Sequence, residues 1–332
     1  MDRYFSFDTY CKTNYGRKLY KLALDGGMTC PNRDGHIASG GCIFCSSAGS
    51  GDYAVKCNPC RGGLPAEDAI TEAIRRLGAK ASVLLTSDEP SFIAYLQSFT
   101  NTYAPAFELK SIYEPLLRDR RIAGLSIATR PDCLEPDVLT LLKTLRKDYP
   151  DKFLWVELGF QTAHEETARY IRRGYDNEIA SRAVYALHEL GIPVIVHIIL
   201  GLPYPSGDGF RIEGPAELSE TIHYVNQLPI SGIKLQLLHI LKHTDLAGEY
   251  KNGSFRALSP EEYVDDLCFA IAHLRPDIVI HRLTGDGAPD QLIAPLFSLH
   301  KHQVLNTIRH ELKERNISQG CALEQEVPKV NL

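Results

Sequence analysis

Short β-rich apolar segments alternate along this chain with longer stretches of helical period, a pattern that parallel strands joined by crossover helices satisfy and few other folds do. The spacing predicts strands at Leu19–Leu24, Phe92–Gln97, Gly124–Ala128, Phe153–Gly159, Pro193–Leu200 and Gly232–Leu238. Between them it predicts helices at Ala66–Leu77, Ala106–Arg118, Glu135–Lys147, Asn177–Leu190 and Pro215–Gln227. Ala69, Ile70, Ala73, Ile74 and Leu77 share one helical face, with Pro65 and Glu67 where a helix begins. Gly191 stops the helix that ends at Leu190, and Pro193 follows it. Six β/α units result, and a seventh strand fits Ile278–Arg282.

The 332 residues carry a formal charge of −5, which argues against a protein that coats nucleic acid through many phosphate contacts but leaves room for a local basic face. Paired arginines at Arg75-Arg76, Arg120-Arg121 and Arg172-Arg173, and a tail helix with Lys301, Arg309, Lys313 and Arg315, suit such a face or plain solvated helix surfaces. No apolar run is long enough to span a bilayer, and the polar Met1-Asp2-Arg3-Tyr4 does not open a signal peptide, so a cytoplasmic location is expected. In that reducing compartment nine cysteines are thiols, metal ligands or catalytic groups before they are disulfides.

Cys30 follows the first strand, and Cys42-Ile43-Phe44-Cys45 comes twelve residues later, entering a glycine- and cysteine-rich loop at Gly40–Gly63. Three thiolates can hold a [4Fe-4S] cluster and leave one iron open to an exchangeable ligand. Cys57 and Cys60 supply the rival reading. With Cys42 and Cys45 they form two C-x-x-C pairs of the kind that close a tetrahedral zinc site. The cysteines alone fit either. Cys11, Cys133, Cys268 and Cys321 lack ligand spacing.

The run Lys21-Leu22-Ala23-Leu24-Asp25-Gly26-Gly27-Met28-Thr29-Cys30-Pro31-Asn32-Arg33-Asp34-Gly35, then Gly40-Gly41-Cys42-Ile43-Phe44-Cys45, resembles the radical S-adenosylmethionine family of YtqA, YhcC and MnmL, relatives of the elongator catalytic subunit. That family has a long first cysteine gap. The likeness continues in order through Gln97–Tyr103, Ser126–Asp132, Glu157–Thr162, His197–Pro203, Lys234–His239 and Arg282–Asp286. The Cys57–Cys60 pair has no clear place in the family's pattern.

The resemblance implies an open, partial (β/α)6 barrel of the TIM type, spanning 19–250 between an N-terminal extension (1–18) and a C-terminal helical extension (251–332) packed on the barrel. It implies a [4Fe-4S] cluster on Cys30, Cys42 and Cys45, with S-adenosylmethionine on the open iron as the source of a 5′-deoxyadenosyl radical. For the cofactor it points to Phe44 beside adenine and to Gln97, Ser98 and Thr100 toward the methionyl group. Glu157 and Gln161 would face the ribose, Arg173 or Arg172 a carboxylate, the Gly201 turn the adenine, and Gln236 stands at the sixth strand.

Loop packing, capping and surface ion pairs account for the same residues without function. His197, His239, Tyr95, Tyr103 and Tyr204 are candidates that core packing also explains. No catalytic residue is assigned. The implied substrate is tRNA, a wobble 5-carboxymethylaminomethyluridine becoming 5-aminomethyluridine, with an external electron donor and a downstream tRNA methyltransferase as partners and Lys301, Arg309 and Lys313 on flanking phosphates. The alternatives are another RNA base, a small molecule, or a zinc-stapled RNA-binding module with no reaction.

Overall fold

The structure, a computed structural model, describes residues 2–49, 51–78, 90–207, 209–285 and 287–323. Its strands are β1 (Tyr20–Asp25), β2 (Val55–Lys56), β3 (Phe92–Leu96), β4 (Ile122–Thr129), β5 (Phe153–Gln161), β6 (Val194–Leu200), β7 (Pro203–Ser206), β8 (Gly209–Ile212), β9 (Gly232–Leu237), β10 (Ile240–Leu241), β11 (Val279–Arg282) and β12 (Leu292–Ala294). Eight of them form one sheet in the order β2-β1-β3-β4-β5-β6-β9-β11. Every pair in it is parallel. The end strands β2 and β11 do not pair with each other among the described residues, so the sheet is the wall of an open α/β partial barrel. β7 with β8, and β10 with β12, are separate antiparallel pairs.

The helices Ala66–Arg76, Ala106–Arg118, Pro136–Asp148, Asn177–Glu189 and Pro215–Gln227 lie where the apolar period puts them. Each buries one face in the main core: Ala69, Ile70, Ala73 and Ile74 on the first, Leu109, Ile112, Leu116 and Leu117 on the next. Each such buried leucine or isoleucine side chain contributes roughly 1.5–3 kcal/mol. The segments outside 19–250 join the same body, since β11 extends the sheet beside β9 and Ser6 bridges to Ile280.

Alternate strand residues point inward, and they build the interior in layers. Where the strands begin, Leu19, Ile93, Ala123, Trp155 and Ile195 form a small core of their own, sealed from below by Phe7, Tyr10 and Tyr15 of the helix Phe7–Tyr15. Phe153 stacks on Trp155 at 4.1 Å and Phe7 meets it edge-on at 6.0 Å. The next layer along the strands holds Lys21, Tyr95, Ser126, Glu157, His197 and Lys234, with Ser126 three residues past Ala123 where the β3–β4 register shifts. Gln97, Ala128, Gly159, Ile199 and Gln236 follow nearer the carboxyl ends of the strands. There a cavity of about 290 Å³ opens.

The tail helix, Lys301–Glu314, buries Val304, Ile308 and Leu312. That stripe lays Arg309 and Lys313 against Asp2, Arg3, Tyr4 and Asp8, at the end of the barrel where the strands begin. This corrects the expectation that Arg309 and Lys313 flank the mouth. The helix runs down the wall because its apolar residues face the core.

Candidate active site

The cavity lies at the carboxyl ends of the strands, where connecting loops meet, the usual place for a site in a β/α barrel. Cys30, Cys42, Phe44, Cys45, Gln97, Thr100, Glu157, Gln161, Arg173 and Gln236 all line it. Ser98 and Gly201 do not. Ser98 is buried under the loop that carries Gly51, and Gly201 is a left-handed turn (φ +85°) pressed on Leu258.

The cysteine loop is held from both sides. Asn32, fully buried, donates through its amide to the Arg172 carbonyl at 2.6 Å, the Arg173 carbonyl at 3.2 Å and the Cys42 sulfur at 3.6 Å. Gly174 lies so close that a Cβ there would come within 2.6 Å of the Asn32 side-chain oxygen. Ile43 donates to the Ile171 carbonyl and accepts from Leu246, and it belongs to a second small core with Leu202, Leu238 and Ile240. Phe44 is half-buried against that core while lining the cavity.

Burial raises the thiols of Cys42 and Cys45, the latter to about 12; the charge of Arg130 opposes the rise at Cys42, and the neighbouring Cys42 thiolate adds to it at Cys45. Arg130 is fixed by Asp132 at 2.7 Å and by the ring of Tyr175, and reaches to 4.0 Å from the Cys30 sulfur. Three thiols that share one cavity and repel one another as thiolates are a donor set suited to a cationic cluster.

Cys57 and Cys60 stand apart. Cys57 is buried in the main core, its thiol donating to the Asp25 carbonyl and pushed up to about 12 by burial, and Cys60 is exposed. Neither lines the cavity. Among the described residues no three His, Cys, Asp or Glu side chains converge to hold a single metal ion. With Cys57 turned to the Asp25 carbonyl in the main core and Cys60 at the surface, the second pair does not share the cavity of Cys42 and Cys45.

Two of the expected cofactor contacts line the cavity and also bind neighbouring protein groups. Arg173, 1% exposed, donates to the carbonyls of Phe160, Thr162 and Tyr175 and to Asn177, tying the end of β5 to the next helix. Glu157, with no exposed surface, accepts from Lys21 at 2.6 Å, Ser126 at 2.7 Å and His197 at 2.8 Å, and also from Lys234. Burial alone would raise its carboxyl, but Lys21, Lys234 and His197 outweigh it and hold it well below the usual range. Lys234 also donates to the Tyr95 hydroxyl at 3.0 Å. His239 lines the cavity while Tyr204 belongs to the β7–β8 hairpin, its ring under Arg211. Sequence reasoning gave no role to Asn32, Arg130, Lys21 or Lys234. The one available signal was a lysine at an inward position of an otherwise apolar strand, Gly232-Ile233-Lys234-Leu235.

An open parallel barrel with three cysteines in its mouth defines a cluster-bearing β/α enzyme. The Radical SAM superfamily model matches residues 33–210, and the Radical SAM C-terminal domain model matches 230–314. The chain belongs to the radical SAM superfamily, within the group of YtqA. To YtqA of Bacillus subtilis (strain 168) it is 40% identical over 96% of this chain and 92% of that one, and to YhcC of Escherichia coli (strain K12) 34% identical over 93% and 92%. A more distant likeness, 26% over 45% of this chain and 26% of the other, joins it to the tRNA uridine(34) acetyltransferase of Methanocaldococcus infernus. The structure of archaeal Methanocaldococcus infernus Elp3 shares the fold, with a TM-score of 0.61 at 13% identity over 93% of this chain and 67% of that one.

The cofactors of this superfamily are a [4Fe-4S] cluster and S-adenosylmethionine, and the cavity fits them: three partly buried thiols line it, with aromatic and amide side chains beside them. Changing Cys57 and Cys60 together to Ala is expected to leave iron and labile sulfide per chain unchanged, at a cost of about 1 kcal/mol from the space left by the Cys57 sulfur. Iron analysis after anaerobic reconstitution, with a urea melt, checks both numbers.

Proposed function

We propose that this chain is a radical S-adenosylmethionine enzyme of tRNA, acting in the cytoplasm on the wobble uridine and converting 5-carboxymethylaminomethyluridine to 5-aminomethyluridine. Cys30, Cys42 and Cys45 hold the cluster in this reading, with Phe44, Gln97, Thr100, Gln161 and Gln236 around S-adenosylmethionine. When bound, these cofactors supply a 5′-deoxyadenosyl radical that removes hydrogen from carbon. The chain's own part is to exclude water, fix orientation and present the substrate carbon. The arm asks for that chemistry: its carbon–nitrogen bond resists ordinary acid–base groups at neutral pH, whereas hydrogen loss beside nitrogen, followed by loss of one electron to an external acceptor, gives an imine that water splits into the 5-aminomethyl group and a two-carbon oxo acid.

The observation that carries the reading is the likeness, over 45% of this chain, to a protein whose name assigns it to tRNA uridine 34. A single splayed base suits a mouth lined by arginine and aromatic side chains, here Arg33, Arg130 and Phe44. An external reductant feeds the cluster, and a tRNA methyltransferase completes the mark afterward. The test combines reduced enzyme, S-adenosylmethionine and tRNA bearing 5-carboxymethylaminomethyluridine, followed by nucleoside mass analysis. Expected products are 5-aminomethyluridine and 5′-deoxyadenosine together. An unchanged nucleoside beside an enzyme that still cleaves S-adenosylmethionine rejects this substrate and leaves the enzyme class standing.

A further inference from the structure

Arg130 follows the last residue of β4, is 8% exposed, and lines the cavity together with Cys30, Cys42 and Cys45. Asp132 accepts from two of its nitrogens, Nε at 2.9 Å and Nη2 at 2.7 Å, which leaves the third, Nη1, directed at the Cys30 sulfur at 4.0 Å. The Tyr175 ring lies 5.0 Å from the guanidinium, and a Cβ at Gly174 would stand 3.2 Å from Nη2, so the group is held from several sides. Burial alone would lower the guanidinium, but Asp132 outweighs it and holds the group above its ordinary value. The charge is therefore present at any working pH. Asp132 does not line the cavity, so the thiols meet the positive end of the pair. Arg33 also lines the cavity, but it is partly exposed and bonded to the Ser46 carbonyl, and solvent screens it more.

We propose that Arg130 sets the reduction potential of the cluster: its charge, held beside Cys30, favours the form with one more electron and so lets an external one-electron donor reduce the site. This rests on the three-cysteine ligation proposed above and adds how the chain makes such a cluster reducible. The electron taken up adds negative charge beside three thiolates, and in a buried site a fixed cation at close range offsets it far more than it would in water. Arg130 is a positioning residue in this role, acting through the Cys30 sulfur, and Asp132 keeps it aimed.

The test uses the full chain with its cluster reconstituted anaerobically and no S-adenosylmethionine present. Each protein is titrated against one-electron mediators, with the reduced cluster read by electron paramagnetic resonance and with iron and labile sulfide counted. Arg130→Gln is expected to lower the midpoint potential by about 59 mV, a tenfold fall in the one-electron reduction equilibrium. The double variant Arg130→Gln, Asp132→Asn, which leaves no unpaired carboxylate, is expected to lie below wild type as well. Arg130→Lys is expected to keep most of the wild-type potential, although an ammonium cannot make the two-pronged bond to Asp132. Asp132→Asn is expected to raise it.

A potential unmoved by Arg130→Gln overturns the assignment. So does an equal fall in Arg130→Lys, which makes shape and not charge the cause, or an unmoved potential joined to weaker S-adenosylmethionine binding, which makes the guanidinium a ligand of that cofactor. Should Arg130→Gln take up no cluster, Asp132→Asn decides: a higher potential supports the assignment, and an equal or lower one overturns it. A cluster that survives Cys30→Ala rejects the ligand set and the role of Arg130 with it. A cluster lost in Cys30→Ala, beside a potential unmoved in Arg130→Gln, rejects the role of Arg130 alone.

Discussion

Cys42→Ala is expected to abolish S-adenosylmethionine cleavage, with iron falling from about four per chain to a small remainder, since a [4Fe-4S] cluster on two protein thiolates has lost a third of its anchoring. Cys42 is the best supported of the three thiols: Asn32 donates to its sulfur, and Asn32 also clamps the carbonyls of Arg172 and Arg173. The backbone turn from Cys42 to Cys45, in which the Cys45 N–H donates to the Cys42 carbonyl, does not depend on the sulfur, so the variant should keep its fold. Circular dichroism and a urea melt verify that. Cleavage by Cys42→Ala at the wild-type rate sinks the three-cysteine assignment. Cys30→Ala and Cys45→Ala should behave alike, in contrast to the Cys57 and Cys60 pair, and the contrast separates cluster ligation from a general sensitivity to thiol loss.

Much of this architecture was legible because each of the six β/α units carries a local signal strong enough to stand alone. The expected strands Phe92–Gln97 and Gly232–Leu238 differ from β3 and β9 by a residue at one end, and the helix Ala106–Arg118 is found as expected. The helix Phe7–Tyr15 was not anticipated. Phe7, Tyr10, Cys11 and Tyr15 fall on one face, Cys11 buried and the three rings partly so, but over nine residues that face is short, and the helicity rests on tertiary packing and on the Ser6 cap, which accepts from Thr9. The β7–β8 and β10–β12 pairs are too short to announce themselves.

At the site, sequence order located the loops, and most expected residues do reach one cavity. Partners within it were not legible, because which inward residues meet depends on the stagger of distant strands. Lys21 and Glu157 are 136 residues apart, and His197 and Glu157 are 40 apart. The resemblance implies cofactor contacts for Glu157 and Arg173, and both line the cavity; what it does not carry is that the carboxylate is shared by two lysines and that the guanidinium donates to main-chain carbonyls.

Glu157→Gln is expected to destabilise the fold by about 3–5 kcal/mol, the range for removing one partner of a buried ion pair. The glutamine keeps the volume and can still accept from Ser126, so the loss isolates charge. Burial already pushes the Lys234 amine well below its ordinary value, and the variant removes the carboxylate that opposes this, so loss of the lysine's proton caps the cost. Urea denaturation of wild type and variant at pH 7 measures the difference, and a loss under 1 kcal/mol refutes the role given to Glu157. The pH dependence supplies a second check.

Glu157 is held low in the folded state, so its stabilisation is present above its unfolded value of about 4.3 and disappears as pH falls through the folded one. His197 works in the same direction from higher pH. Its folded value is about 4 against about 6.5 unfolded, so between those values the unfolded chain binds a proton that the native chain does not. Stability must therefore fall as pH drops across that window, by roughly 3 kcal/mol from this group. His197→Gln should flatten the profile between pH 6.5 and 4, values set by those same two titrations, and leave the steeper acid limb. A flat wild-type profile across that window contradicts a neutral, buried His197 donating to Glu157.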